Sequence, residues 1–267
     1  MSTQEATPAG WRLAWLDAID STNEEARRRA LAGDPGRLWI AAGQQHAGRG
    51  RRGRTWVSPS GNLYASALLI DPCPQAKAAQ LGFVAGVALA RAASDVGAPG
   101  ARLKWPNDLI DDGAKCAGLL VEGFALPARR FACVVGVGVN LESAPAGIGY
   151  PTTVLRSPVV IEAGALLERL ILRFDEALGA WRAGEGFDAI RSTWLDHAAG
   201  VGHRVRVENG GGRREGTFVG LDADGRLLFR GESGIEAVET ADLWIVPQSD
   251  GSPVAASSAS PAREGPA

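Results

Sequence analysis

The sequence predicts an α+β fold in two unequal parts: a mixed β-sheet with packed helices over residues 11–198, then a small β-barrel over 199–247. Three observations predict it. Strand-length apolar runs alternate with helix-length apolar stretches as far as His197, the pattern of a sheet that carries helices. Leu166, Leu170, Phe174 and Leu178 recur at the spacing of one helix face. Beyond Gly200 only short strands remain, with Asp224-Gly225 as a hairpin turn, which suits a small barrel of about 50 residues.

In chain order, residues 1–10 read as a loose, disordered start and 11–16 as the first strand. Next comes Asp20-Ser21-Thr22-Asn23-Glu24, where Ser21 and Glu24 have the spacing of a capping box. The helix it opens runs to about Ala32, and Gly33 stops it. Residues 38–43 and 62–70 are strands, and 75–96 form a long, alanine-rich apolar helix. A short strand at 102–105 and a turn at Asp111-Asp112-Gly113 precede strands at 116–122 and 131–139. Helices follow near 161–181 and 187–197, then barrel strands at 203–207, 216–221, 226–229 and 235–238. The tail, 248–267, is mostly Ser, Pro, Ala and Gly without an aromatic residue, and reads as disordered.

Charge and composition exclude several function classes. With 28 Lys+Arg against 30 Asp+Glu the net charge is -2, whereas a nucleic-acid binder carries a domain-wide basic footprint. At 267 residues and 45% hydrophobic, the chain buries a sizeable core. Three cysteines without CxxC spacing indicate neither a disulfide framework nor a zinc site. The histidines, His46, His197 and His203, form no HxxxH pattern, so no protein-built metal site is expected. The first residues lack the basic-then-apolar order of a secretory signal. The longest mainly apolar stretch without charge, 78–90, is too short to span a bilayer, so a cytoplasmic protein is expected.

The most informative segment is Gly48-Arg49-Gly50-Arg51-Arg52-Gly53-Arg54-Thr55-Trp56. Glycine lets a backbone approach a ligand closely, and arginine brings a permanently charged fork of donors suited to phosphate and carboxylate. On its own the segment is a clamp for a small anion, a nucleic-acid patch or a solvated loop. Four other segments narrow the choice. Ser21-Thr22-Asn23 places hydrogen-bonding side chains at a helix start, also the composition of an ordinary N-cap. Lys104-Trp105-Pro106-Asn107-Asp108 is a rigid, polar turn at a strand end. Lys115 and Gly118 open a strand, where a lysine is also common at a sheet edge. Gly136 and Gly138, within a strand that ends at Asn140, mark a close backbone approach and not the dinucleotide fingerprint, whose glycines open a helix.

In this order and spacing, these segments, together with Gln45, resemble the biotin protein ligases, over residues 11–246. The resemblance implies the catalytic fold shared with class II aminoacyl-tRNA synthetases, followed by an Src-homology-3-like barrel. It implies an adenylate-forming ligase. Biotin's carboxylate attacks the α-phosphate of ATP to give biotinyl-5′-AMP, and a lysine of a biotin carboxyl carrier domain, that of acetyl-CoA carboxylase foremost, then displaces AMP. Arg49, Arg51 and Lys115 are implied to offset the developing charge, and Asp108 to orient and help deprotonate the incoming lysine. Ser21, Thr22, Asn23 and Gln45 are implied at the biotin ureido and ring end, with Arg49, Gly50, Arg51, Lys115, Gly118 and Gly136 completing the biotin site. Gly48, Arg49, Arg51, Trp56, Lys104, Asn107, Gly138 and Asn140 are implied at the nucleotide, with Trp56 beside the adenine.

Magnesium is implied with ATP, held mainly by phosphate oxygens and water with few protein ligands. The glycines at 48, 50 and 53 also suit a loop that is mobile without ligand and closes over the adenylate to exclude water. Some family members carry an N-terminal winged-helix repressor domain; ten residues cannot form one, so no operator binding is expected. A monomer or a homodimer is compatible with the resemblance, and no membrane partner is expected. Two alternatives stand beside this reading: a lipoate or octanoate ligase of the same catalytic fold, and a non-enzymatic nucleic-acid-binding module.

Overall fold

Side chains alternate across a strand, so a strand buried throughout must meet a packed layer on both faces. Leu38–Ala42 is buried at all five positions, and it lies inside such a sandwich. The computed structural model describes residues 4–7, 9–210 and 212–246. Its elements in chain order are β1 (Gln4–Ala6), β2 (Arg12–Leu16), α1 (Thr22–Leu31), β3 (Leu38–Ala42), β4 (Leu63–Ile70), α2 (Leu81–Asp95), β5 (Arg102–Lys104), β6 (Asp108–Asp111), β7 (Ala114–Ala125), β8 (Phe131–Val139), α3 (Ala163–Trp181) and α4 (Phe187–Asp196). The C-terminal strands are β9 (Arg204–Asn209), β10 (Gly212–Leu221), β11 (Leu227–Gly231), β12 (Gly234–Val238) and β13 (Asp242–Ile245).

The first eight strands form one mixed sheet in the order β1-β2-β3-β4-β8-β7-β6-β5. The β2–β3 pair, joined through α1, is parallel, and the other neighbours are antiparallel. On one face, Leu38, Ile40, Leu68, Ala132 and Val134 pack against Ala26 and Ala30 of α1. On the other, Trp39, Ala65, Val135 and Val137 belong to the core shared with α2 and α3. There Trp11, Trp39 and Phe174 meet at centroid distances of 5.4–6.0 Å in tilted and edge-on contacts, a geometry that adds about 0.5–1.5 kcal/mol per pair beyond burial.

One consequence of the alternation positions the site. Gly118 pairs with Gly138 and Leu120 with Gly136 across β7 and β8. All four share the face of Val134, which α1 covers. Helix α1 is only 10 residues long, so this part of the face, floored largely by backbone, stays open.

The second sheet is antiparallel, in the order β12-β11-β10-β9-β13, and makes a small barrel-type domain. The turn at Asp224-Gly225 joins β10 to β11 as expected, and its Gly225 takes a left-handed φ of +85°. Trp105 Nε1 donates to the Gly225 carbonyl at 3.2 Å, and a Cβ on Gly225 would lie 2.6 Å from the Phe83 ring. This hairpin tip therefore seats the barrel against α2 and the Lys104–Asp108 turn.

The structure departs from the sequence reading at several elements. Gln4–Ala6 is not part of a loose start but a strand paired antiparallel with β2. The Ser21/Glu24 capping box does not form: Ser21 makes no side-chain cap bond, and Glu24 is drawn to Arg49. Residues Gln75–Gln80 are a 3-10 segment, so α2 begins at Leu81. Asp108–Asp111 and Asp242–Ile245 are strands that were not expected. The expected disorder of 248–267 lies outside the described residues.

Candidate active site

The open stretch of the sheet is the floor of a cleft. Its walls are the start of α1, the arginine loop, the 104–108 turn, Lys115, Tyr150 and the barrel residues 242–244. The floor glycines are required because side chains lie directly on them. A Cβ at Gly136 would stand 2.3 Å from Asn23 Oδ1, and one at Gly138 would stand 2.5 Å from Trp56 Nε1. Gly118 would meet the same indole at 3.0 Å and Lys115 Nζ at 3.3 Å. Trp56 thus lies flat across two strands, and its Nε1–H, buried, has no hydrogen-bond partner among the described residues.

Beside it is a connected polar wall. The Thr22 N–H donates to Gln45 Oε1 at 2.8 Å, Gln45 Nε2 donates to Ser58 Oγ at 3.0 Å, and Ser58 Oγ donates to the Trp56 carbonyl at 2.9 Å. Ser66, fully buried on β4, donates to Asn23 Oδ1 at 2.6 Å and lies 2.7 Å from Thr22 Oγ1. Asn23 Nδ2 donates to Glu122 Oε2 at 2.7 Å. The two side-chain amides are therefore fixed in orientation, which suits recognition of a neutral polar ligand.

The loop arginines divide by partner. Arg49 is neutralised by Glu24 and Glu122. Arg52 and Arg54 both pair with Asp242 at the start of β13. Arg51 instead donates to two neutral acceptors, Asn107 Oδ1 at 2.9 Å and Thr240 Oγ1 at 2.8 Å. Burial, then the neighbouring Arg52, lowers its pKa from the usual arginine value. A half-buried cation held by neutral acceptors is stabilised when an anion arrives.

Across the cleft, Lys115 Nζ lies 2.6 Å from Asp108 Oδ1 and is flanked by the Trp56 and Tyr150 rings at 5.3 and 5.5 Å. Lys104 Nζ stands 3.5 Å from the other oxygen of Asp108. The Trp105–Pro106 peptide between them is cis. Asn107 Nδ2 donates to the Leu119 carbonyl at 2.8 Å, which fixes the amide that receives Arg51.

Comparison with known proteins agrees with this arrangement. Residues 15–140 match the biotin/lipoate A/B protein ligase family, and residues 200–242 match the biotin protein ligase C-terminal domain. The chain is 40% identical over 239 residues to the biotin–[acetyl-CoA-carboxylase] ligase of Paracoccus denitrificans, covering 86% of this chain and 99% of that one. It belongs to the biotin protein ligase family. It is also 33% identical over 226 residues to the bifunctional ligase/repressor of Escherichia coli, covering 82% of this chain and 70% of that one. Its fold is similar to the biotin protein ligase of Aquifex aeolicus solved in complex with biotin and ATP, at a TM-score of 0.76 and 28% identity, covering 88% of this chain and 99% of that one.

The cleft of this biotin protein ligase family member gathers most of the residues expected from the sequence. Ser21, Thr22, Asn23, Gln45, Arg49, Gly50, Arg51, Trp56, Lys104, Asn107, Asp108, Lys115, Gly118, Gly136 and Gly138 all line it. Two do not. Gly48 lies behind the wall, where its Cβ would strike the Trp56 carbonyl at 2.4 Å. Asn140 is buried and turned away, donating from Nδ2 to the Thr153 carbonyl at 3.1 Å. Sequence reasoning passed over Glu122, Ser66, Tyr150 and Asp242. Glu122 does lie on the strand of Gly118 and Leu120, at the two-residue period of that face.

Proposed function

We propose that the cleft joins biotin's carboxylate to the α-phosphate of ATP and then delivers the biotinyl group to a lysine of a carboxylase carrier domain. The chain is an ATP-dependent biotin ligase with biotin and ATP as its substrates. The observation that carries the mechanism is Arg51: half-buried, bonded to neutral acceptors, and lining the same cleft as Lys115 and the fixed wall of amides and hydroxyls.

In the first half-reaction a carboxylate oxygen bonds to the α-phosphorus and the bond to pyrophosphate breaks. Negative charge gathers where two anions meet, and Arg51 with Lys115 offsets it. Arg49, already neutralised by two carboxylates, anchors the root of the loop and is not assigned the charge-offsetting role that the sequence implied. The polar wall from Thr22 to Gln45 receives the ureido end of biotin, and Trp56 and Tyr150 provide apolar faces beside the nucleotide. Magnesium would travel with ATP and neutralise phosphate charge. Among the described residues no three His, Cys, Asp or Glu side chains gather as a metal cage, so phosphate oxygens and water would hold it.

In the second half-reaction the lysine nitrogen bonds to the biotinyl carbonyl carbon and AMP leaves with the bonding pair. The amine must first shed a proton from a group whose ordinary pKa is about 10.4. Asp108 engages two ammonium groups on one carboxylate, and a carboxylate has roughly four acceptor positions. It therefore retains capacity to orient a third amine and to take up the proton that amine sheds.

Among the described residues no helix is long and apolar enough to cross a membrane. We place the reaction in the cytoplasm, with the carrier of acetyl-CoA carboxylase as partner, with no DNA partner, and with the chain acting as a monomer or homodimer. Incubating the chain with biotin, ATP, magnesium and a carboxylase carrier domain, then mass-mapping the carrier, tests this. One biotinyl group on a single lysine is expected, with the rate lowered about 10²–10³-fold by Arg51→Ala or Lys115→Ala. An unmodified carrier would refute it.

A further inference from the structure

Glu122 stands at the junction of the two halves of the cleft. Its Oε2 accepts from Asn23 Nδ2 at 2.7 Å and from Arg49 at 3.1 Å, and its Oε1 accepts from Arg49 at 3.2 Å. One carboxylate therefore ties the first turn of α1, in the polar wall, to the root of the arginine loop. We infer that Glu122 is a positioning residue for biotin, acting through Asn23 and coupling the orientation of that amide to the seating of the loop. This rests on the biotin reading of the cleft.

The Asn23 amide is constrained from three sides. Ser66 binds its oxygen at 2.6 Å, Glu122 binds its nitrogen, and Gly136 leaves no more room than the oxygen needs. Ser66 and the glycine restrain the oxygen alone. The carboxylate is what draws the NH₂ group to one side, because ionised Glu accepts and never donates. Without it the amide can turn over or rotate, and the face presented to the cleft beside Thr22 and Gln45 changes. Arg49 retains Glu24 as a partner, so the loop keeps one tie while the amide loses its only carboxylate. The effect therefore falls first on biotin and only weakly on ATP.

Side-chain exposure of 36% at Glu122 makes substitution compatible with folding. The test is steady-state biotin-dependent ATP–pyrophosphate exchange on the full chain with Glu122→Gln, Glu122→Ala, Asn23→Ala and the double variant Glu122→Ala/Asn23→Ala. Hydrogen bonds to charged groups predict a rise in biotin KM of about 10–100-fold for Glu122→Ala. A smaller rise is expected for Glu122→Gln, with ATP KM held within about twofold of the parent. In the Asn23→Ala background, Glu122→Ala should add less than about threefold, because its effect passes through that amide. A biotin KM unmoved by Glu122→Ala, an equal rise in ATP KM, or full additivity in the double variant would overturn the inference. Absence of biotin-dependent exchange in the parent chain would instead overturn the reading of the cleft.

Discussion

Replacing Gly136 by alanine isolates the packing logic of the cleft. The residue has no left-handed φ, so alanine costs nothing in backbone conformation there. It does put a methyl group 2.3 Å from Asn23 Oδ1, where 3.4 Å is the lower edge of ordinary contact. The amide must retreat by about 1 Å, which stretches its 2.6 and 2.7 Å bonds to Ser66 and Glu122 to about 3.6–3.7 Å, beyond hydrogen-bonding range. One of those bonds is neutral, worth about 1 kcal/mol, and the other is charge-assisted, worth about 1.5–3 kcal/mol. If half or more of that loss falls on the ligand complex, biotin affinity drops about 10–100-fold. Calorimetric titration of biotin into the parent and the Gly136→Ala variant measures it, with the melting temperature recorded to confirm folding. A variant that melts like the parent and binds biotin within about twofold of it would refute the claim that this glycine exists to admit Asn23.

Other outcomes follow from the same structure. Asp242→Ala removes the carboxylate shared by Arg52 and Arg54. Exposed pairs contribute about 0.2–1 kcal/mol each, so global stability should barely move while trypsin cleavage at Arg51-Arg52 quickens several-fold; unchanged cleavage would mean the barrel does not hold the loop. Burial pushes the Cys116 and Cys133 thiols up to about 12, so a thiol reagent should label neither in the native chain and both after unfolding; native labelling would contradict their placement in the core. Burial, with Arg91 and Arg102 nearby, lowers the pKa of His197 below its ordinary 6.5. The unfolded chain then binds more protons between the folded value and 6.5, so this contribution to stability is complete above 6.5 and is lost as pH falls through that window. Urea titrations across it should show a shallower acid loss in His197→Gln than in the parent, and equal slopes would refute the assignment.

Much of the site was legible because its chemistry is local in sequence. The arginine loop, the Lys104–Asp108 turn and the glycines of β8 each announce themselves within a few residues, and the cleft brings them together. What stayed hidden depends on partners far away along the chain. The Ser21/Glu24 spacing is a sound capping box in isolation, and only the fold shows that Arg49 claims Glu24. Glu122 reaches Asn23 across 99 residues, and Asp242 reaches Arg54 across 188; nothing in local spacing encodes either contact. The strand β6 was missed because its four residues, Asp108-Leu109-Ile110-Asp111, have charged ends and follow a proline turn, so the alternation is too short to register. Asn140 lies outside the cleft lining for a related reason: its side chain pins the 140–155 segment through Thr153, a contact that only the tertiary structure reveals.

In the proposed function, the cleft activates biotin as an adenylate by means of Arg51 and Lys115. Isotope exchange between pyrophosphate and ATP tests it most directly, with biotin and lipoate compared as the acid. Exchange that depends on biotin, is absent with lipoate, and falls about 10²–10³-fold in Arg51→Ala and Lys115→Ala is the expected result. Exchange supported by lipoate and not by biotin, or exchange indifferent to both substitutions, would contradict these roles.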